Sequence, residues 1–383
     1  MSAGMGRAGD MDAAIILAAS FFYLASPMLV NPLITGFAGE MGASAALMGL
    51  IGGLMNLASL VVRPLAGNLA DRLSKRRTAL GGSLLMAASC AGYALCGDPA
   101  VLAACRVANG TGYSLCSVAM SSWLASLLPR DRVGSGMGLF GMMNALGMAV
   151  GPSLGLTVQG VFGYRAAFVC AGLLASVCCV LSVLVADAGA PTRVSAARGE
   201  VRLVAPAVVP AALIVMLFTL PYTATQSFIV SYVAQRAPGV GVGLFFPIYA
   251  AALLALRFGL RRVLDRVGMG TFHAVGSCSA LAALALLWRV QSNAALAAAA
   301  VCMAGGYGLM CSVCQTAAVK LAAPEDVGLA NSTYYMGFDL GMALGPMVGG
   351  AVIAWAGMEA LYPCMMTTVP LATAIYLAFY KKQ

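Results

Sequence analysis

Charge is what this chain most lacks. Thirteen acidic and 22 basic side chains serve 383 residues, so 9% are charged, against about 25% in a soluble domain. The mean hydropathy of +0.91 likewise lies outside the soluble range. Histidine is nearly absent: His273 is the only one, and without H-E-x-x-H or Cys pairs set beside a His no metal site is expected. The sequence has no G-x-x-x-x-G-K-[ST] phosphate loop, which excludes a nucleotide-driven pump of that type. It also has no Ser, His and Asp grouping at helical spacing, so an enzyme is not expected and no cofactor is implied. The net charge of +9 comes without aromatic residues interleaved on a basic face, which argues against nucleic acid as a partner.

What is abundant is apolar sequence, at 61% hydrophobic residues. A membrane-spanning helix needs about 20 of them. Twelve runs meet that length approximately, at 13–36, 44–66, 78–97, 99–123, 135–158, 165–186, 207–233, 240–258, 270–290, 294–319, 328–354 and 360–380. The basic residues collect in alternate connections, with only Arg165, Arg236 and Arg289 on the opposite side. Such a bias sets orientation and predicts both termini in the cytoplasm of a plasma-membrane protein. No cleaved signal peptide is expected. The twelve cysteines fall almost wholly inside the runs, and Cys311 and Cys314 read as packing residues on one helix face.

The chain is organised around R-P-L-A-G-N-L-A-D-R-L-S-K-R-R, Arg63 to Arg77, which reads as a tight cytoplasmic turn between two apolar runs. It has an echo. Arg63, Asp71 and Arg72 recur as Arg257, Asp265 and Arg266 at an offset of 194 residues, half the chain. Pro27 and Pro221 share that offset, as do the glycines and prolines of the fifth and eleventh runs. The pattern predicts an N-terminal bundle over 1–186, a linker over 187–205 and a C-terminal bundle over 206–383, each bundle with six helices.

Gly67 to Arg72 resembles the signature loop of major facilitator superfamily transporters, repeated in short form at Asp265 and Arg266. The resemblance covers nearly the whole chain. It implies an all-α fold of 12 transmembrane helices in two pseudo-symmetric six-helix bundles, a monomer in the lipid bilayer. It implies that Gly67, Asp71, Arg72, Asp265 and Arg266 form a latch that holds the two halves in the outward-open state. R-V-A-N-G-T-G from Arg106 resembles the fourth-helix arginine motif of proton-coupled members. Gly147, Gly151, Pro152 and Gly155 resemble the fifth-helix motif of antiporters, and Gly345 and Pro346 belong to a fuller copy in the eleventh helix. Close helix packing is the other reading of these glycines.

Two charges fall inside the runs. Arg106 lies about two turns below Asp98, where a charge costs on the order of 3 kcal/mol and faces the bundle interior unless it snorkels outward. Asp339 is the acid nearest a mid-membrane position, and the repeat puts Ala145 at its counterpart. A carboxyl out of water resists ionisation, so Asp339 is expected to handle protons or substrate; a permanent ion pair, with Arg106 as one partner, is the alternative. Prolines 27, 32 and 221 mark bent helices lining a cavity, with Asn31, Tyr222, Thr225 and Gln226 presenting polar groups, and helix packing accounts for them equally. Gln315, Tyr335 and Phe338 complete the expected substrate cavity. His273, at the inner end of the ninth run, reads as interfacial. Together these residues point to a secondary transporter exporting a small organic solute in exchange for protons, akin to drug and small-molecule antiporters. Uptake symport of a sugar, carboxylate or peptide, or a non-transporting sensor, fits the same scaffold.

Overall fold

A computed structural model describes residues 5–129, 133–190, 204–260, 269–321 and 327–379, and among them there is no strand. The helices are α1 (Met5–Glu40), α2 (Ala45–Arg72), α3 (Lys75–Leu95) and α4 (Pro99–Leu127). Helices α5 and α6 share the continuous run Val133–Leu184 and part at Gly163. Next come α7 (Val209–Arg236), α8 (Phe245–Leu260) and α9 (Met269–Trp288). Helix α10 runs over 293–320 through a π-helical turn at Ala304–Gly308, α11 is Val327–Ala356, and α12 covers 361–379 with a break at Thr367. Nine described segments are long and apolar enough to cross a membrane, one of them, Leu139–Leu184, holding two helices. With α4 and the shorter apolar Val242–Leu256, the twelve expected spans are all present.

The boundaries differ from the expectation in two instructive places. The Arg63 to Arg77 stretch is not a loop: α2 stays helical through Arg72, and only Leu73 and Ser74 separate it from α3. Ser74 caps α3 by accepting from the Arg77 amide at 3.3 Å. Between α5 and α6 the expected connection shrinks to one residue, Gly163, at φ 82°. Gly357, which follows α11, has φ 82° as well and sits 194 residues later. Only glycine takes that conformation without strain, so the repeat extends to backbone geometry.

The chain forms two compact units, Met1–Leu33 with Leu57–Arg198, and Ile34–Asn56 with Gly199–Gln383. In the first, a Cβ on Gly147 would meet the Phe21 carbonyl at 3.0 Å, and one on Gly151 the Ala25 carbonyl at 2.8 Å, so α5 lies directly on α1. In the second, a Cβ on Gly341 would stand 2.6 Å from the Met216 carbonyl, and one on Gly345 2.5 Å from the Leu220 carbonyl, so α11 lies on α7 in the same way. Gly82 and Gly112 bring α3 against α4 as Gly276 and Gly306 bring α9 against α10. Close backbone approach is how helices gain packing energy where lipid removes the hydrophobic drive between them.

Residues 185–190, past α6, are tied down onto the first unit. The buried Asp12 carboxylate accepts from the amides of Ala186 and Asp187 at 2.9 Å each. Trp123 donates its indole N–H to the Asp187 carbonyl at 3.0 Å, and Lys75 donates to the Ala190 carbonyl at 2.6 Å. Arg76 donates to the carbonyls of Val185 and Ala186. This segment therefore fastens the ends of α1, α3 and α4 together.

Candidate functional site

In the first unit the site is built on α4. Asp98 caps that helix by accepting from the Ala100 amide at 3.2 Å, and two turns on, Arg106 is fully buried. Burial excludes the snorkelling reading. The Arg106 guanidinium donates to Asn31 Oδ1 at 3.1 Å and lies against the Tyr93 hydroxyl. Tyr93 in turn donates to the Cys105 carbonyl at 3.3 Å. Asn109, one turn beyond Arg106, is turned to α3, donating to the Met86 carbonyl at 3.5 Å. Asn31 is thus an arginine partner, held by α1 between Pro27 and Pro32. A buried guanidinium stays charged and needs such acceptors around its five donors.

The second unit carries an aromatic cluster beside the acid. Tyr222 follows Pro221 on α7 and stacks on Tyr307 with ring centroids 3.9 Å apart and planes within 8°. Tyr249 of α8 packs at 5.2 Å from Tyr222, and Phe338 of α11 lies 6.5 Å from Tyr307. Asp339 is the next residue and is buried. Tyr334 donates to the Cys311 carbonyl at 2.9 Å, and Gln315 donates its amide to the Tyr335 hydroxyl at 3.2 Å. Gln226 is buried, and its Nε2 has no hydrogen-bond partner among the described residues. Gln315, Tyr335 and Phe338 therefore gather on the facing sides of α10 and α11, although Tyr335 is 39% exposed.

Tyr307 escaped sequence reasoning. The π-helical turn of α10 carries it, and the flanking Gly305, Gly306 and Gly308 approach α9 and α8 closely. Ser279 of α9 donates to the Cys302 carbonyl at 2.8 Å, satisfying backbone that the widened turn disturbs. Such turns recur at functional positions, and the G-G-Y-G run was the available signal. Thr225 departs from its expected role. Its hydroxyl donates to the Pro221 carbonyl of its own helix at 2.8 Å, a local bond that a bent helix favours.

His273 lies in the first turns of α9. It is buried, stacked on Tyr376 at 4.6 Å and edge-on to Phe218 at 5.9 Å, with Nε2 3.1 Å from Thr373 Oγ1. Thr373 already donates its proton to the Val369 carbonyl at 3.0 Å, so it accepts from His273 and the ring is the Nε2–H tautomer. No group of three or more potential metal ligands occurs among the described residues.

The two bundles' matched packing and buried charges find their context in known proteins. A family model described as Major Facilitator Superfamily matches residues 16–290 and 272–382. The chain belongs to the Major Facilitator Superfamily. It is a multi-pass membrane transporter with that superfamily's all-α fold, twelve transmembrane helices in two pseudo-symmetric sets of six. It is 25% identical over 370 residues to the uncharacterized MFS-type transporter YhhS of Escherichia coli, covering 92% of this chain and 88% of the relative. It is 28% identical over 335 residues to a chloramphenicol resistance protein of Pseudomonas aeruginosa, covering 81% and 76%. A multi-drug resistance efflux pump PmrA homolog of Lactococcus lactis is 24% identical over 358 residues, covering 89% and 87%. Among solved structures, a POT family transporter in complex with 5-aminolevulinic acid superposes with a TM-score of 0.83 at 15% identity, covering 97% and 96%. At that identity the likeness is one of fold.

Of the residues tied to the superfamily's signature loop, Gly67, Asp71 and Arg72 occupy the last turns of α2, with side chains outside the described set, and Asp265 and Arg266 lie outside the described residues. The superfamily's glycine and proline positions are all described: Gly147, Gly151 and Gly155 face α1, Gly345 faces α7, and Pro152 and Pro346 lie inside their helices.

Proposed function

We propose that this transporter exports a small organic solute in exchange for protons, by alternating access of bundles 1–186 and 206–383 joined through 187–205. One observation carries the reading: Asp339 is a carboxyl buried in a membrane helix, next in sequence to Phe338, whose ring packs near Tyr307. Intramembrane acids are costly and are retained where they move protons or bind substrate. The Gln226 Nε2, without a partner among the described residues, supports the same place, because an unmet buried donor costs about 1–3 kcal/mol that a bound solute's acceptor would offset. Arg106, held by Asn31 and Tyr93, supplies the coupling partner of fixed charge. Export rather than uptake is favoured by the resistance and efflux names of two relatives.

In this reading the protein acts as a monomer in the plasma membrane with both termini cytoplasmic. Gly67, Asp71, Arg72, Asp265 and Arg266 act as the conformational latch, and the lining is Asn31, Tyr222, Gln226, Gln315, Tyr335 and Phe338. The test is solute-dependent proton movement in proteoliposomes for wild type and Asp339→Asn, with chloramphenicol and a lipophilic cation among the solutes. The expected result is proton flux opposite in direction to solute flux, lost at least tenfold in the variant. Flux in the same direction as solute would make the protein a symporter, and undiminished flux in Asp339→Asn would remove that residue from coupling.

A further inference from the structure

A cavity of about 440 Å³ opens where α7 begins and α10 and α12 end, all within the second unit. Among the described residues its side-chain lining is apolar: Pro206, Ala207, Pro210 and Leu213 on one side, Leu321 and Phe379 on the other. The size falls within the roughly 300–1,000 Å³ range of small-molecule sites. The apolar surface continues outward, for Phe379 is 56% exposed and Leu377 48%. One described cation stands at its edge. Lys320, exposed on the last turn of α10, immediately precedes Leu321, and in sequence Lys381 and Lys382 follow Phe379 by two and three residues.

We propose that this groove binds an anionic phospholipid from the leaflet on the chain's basic side, with an acyl chain along the apolar walls and the headgroup phosphate on Lys320. The described side chains of the lining are all apolar, a poor match for a polar solute, so the groove is assigned no part in the transport pathway. The chain's own linker is a poor occupant. Its stretch P-T-R-V-S-A-A-R-G-E-V-R-L, from Pro191 to Leu203, sets its three large apolar residues, Val194, Val201 and Leu203, apart with polar or small ones. A basic residue at the polar edge of a lipid-facing groove is instead the arrangement that selects a negative headgroup.

Native mass spectrometry of the full chain in detergent, titrated with phosphatidylglycerol or phosphatidylcholine of identical acyl chains, tests this. Phosphatidylglycerol adducts are expected at lower lipid concentration than phosphatidylcholine adducts. Lys320→Ala should weaken the phosphatidylglycerol adduct roughly fivefold, the worth of one basic residue near a charged surface, and Lys320→Arg should retain it. Ala207→Trp, at an exposed position that fills the groove, should abolish it. Equal binding of the two lipids overturns the headgroup assignment. Adducts unchanged in both Lys320→Ala and Ala207→Trp place the lipid elsewhere and overturn the site, the result expected if the linker fills the groove. Solute-coupled proton flux is measured separately, so failure here leaves the export reading standing.

Discussion

The closest helix contact in the second unit sets a graded test of the packing. A Cβ on Gly345 would collide with Thr223 Oγ1 and stand 2.5 Å from the Leu220 carbonyl, whereas real Cβ contacts stay beyond 3.0 Å. Thr223 cannot swing aside at no cost, because its hydroxyl is held by the carbonyls of Thr219, Leu220 and Gly341 at 3.1–3.2 Å. Gly345→Ala must therefore push α11 from α7 by about half an ångström along a buried seam, an overpacking that costs about 2–3 kcal/mol. At the repeat-related Gly151 the shortest approach is 2.8 Å, so Gly151→Ala should cost about 1 kcal/mol. Gly141, with nothing within 4 Å, should be neutral to stabilising by up to about 1 kcal/mol on helix propensity. Thermal unfolding in detergent, followed by a thiol-reactive dye, reads the order directly, since Cys90, Cys116, Cys178, Cys311 and Cys314 are buried thiols. Gly345→Ala should lower Tm by roughly 5–10 °C. If it melts at or above Gly141→Ala, the α7 to α11 seam is not as tight as the argument requires.

Two further predictions concern groups that hold helix ends together. Asp12→Asn replaces an acceptor of two amides by one that can serve only one, so exchange at Ala186 and Asp187 should rise roughly 10- to 100-fold; unchanged exchange in a peptide covering 180–190 would remove Asp12 from that role. His273 is the sole histidine, so the ¹⁵N spectrum of histidine-labelled protein at pH 7.5 reports one ring, expected as the Nε2–H tautomer and shifted by Thr373→Val; an Nδ1–H tautomer would overturn the assignment.

Much of the fold was written in the hydropathy and in the offset of 194 residues. Composition marks which segments prefer lipid, and that preference fixed the number of helices. It does not mark where a helix stops once it leaves the membrane. Hence Gly67 to Arg72 reads as a loop although α2 continues through it, and α5 and α6 read as parted by residues 159–164 although a single glycine parts them. At the site, Arg106 and Asp339 were legible because a charge inside an apolar run is conspicuous. Their surroundings were not. Tyr307 reaches Tyr222 only through a π-helical turn, and Thr225 satisfies its own helix at Pro221. Both outcomes depend on local backbone geometry that residue type alone leaves open. The contacts of Asp12 and His273 were not legible for a shared reason: each lies near a helix end, and its burial comes from elements distant in sequence, residues 185–190 for one and α12 for the other.

The places where the repeat is kept and where it breaks divide packing from chemistry. Gly151 and Gly345, and Gly163 and Gly357, do the same work at equivalent positions, because two similar bundles need the same close approaches and turns. The charges obey no such rule. Asp339 answers to Ala145 and Arg106 to Ala300, and both alanines are buried, so an equivalent bundle packs well with no charge there. Nothing in the fold requires either ionisable group, yet each must be desolvated and supported, a cost that packing alone gives no reason to accept. Substitutions at the repeated glycines should then act on stability in either bundle, while Asp339→Asn should leave the melting temperature near wild type and act on transport. A variant that lost both would make Asp339 a structural member of its bundle and would shift the search for the coupling group to Arg106.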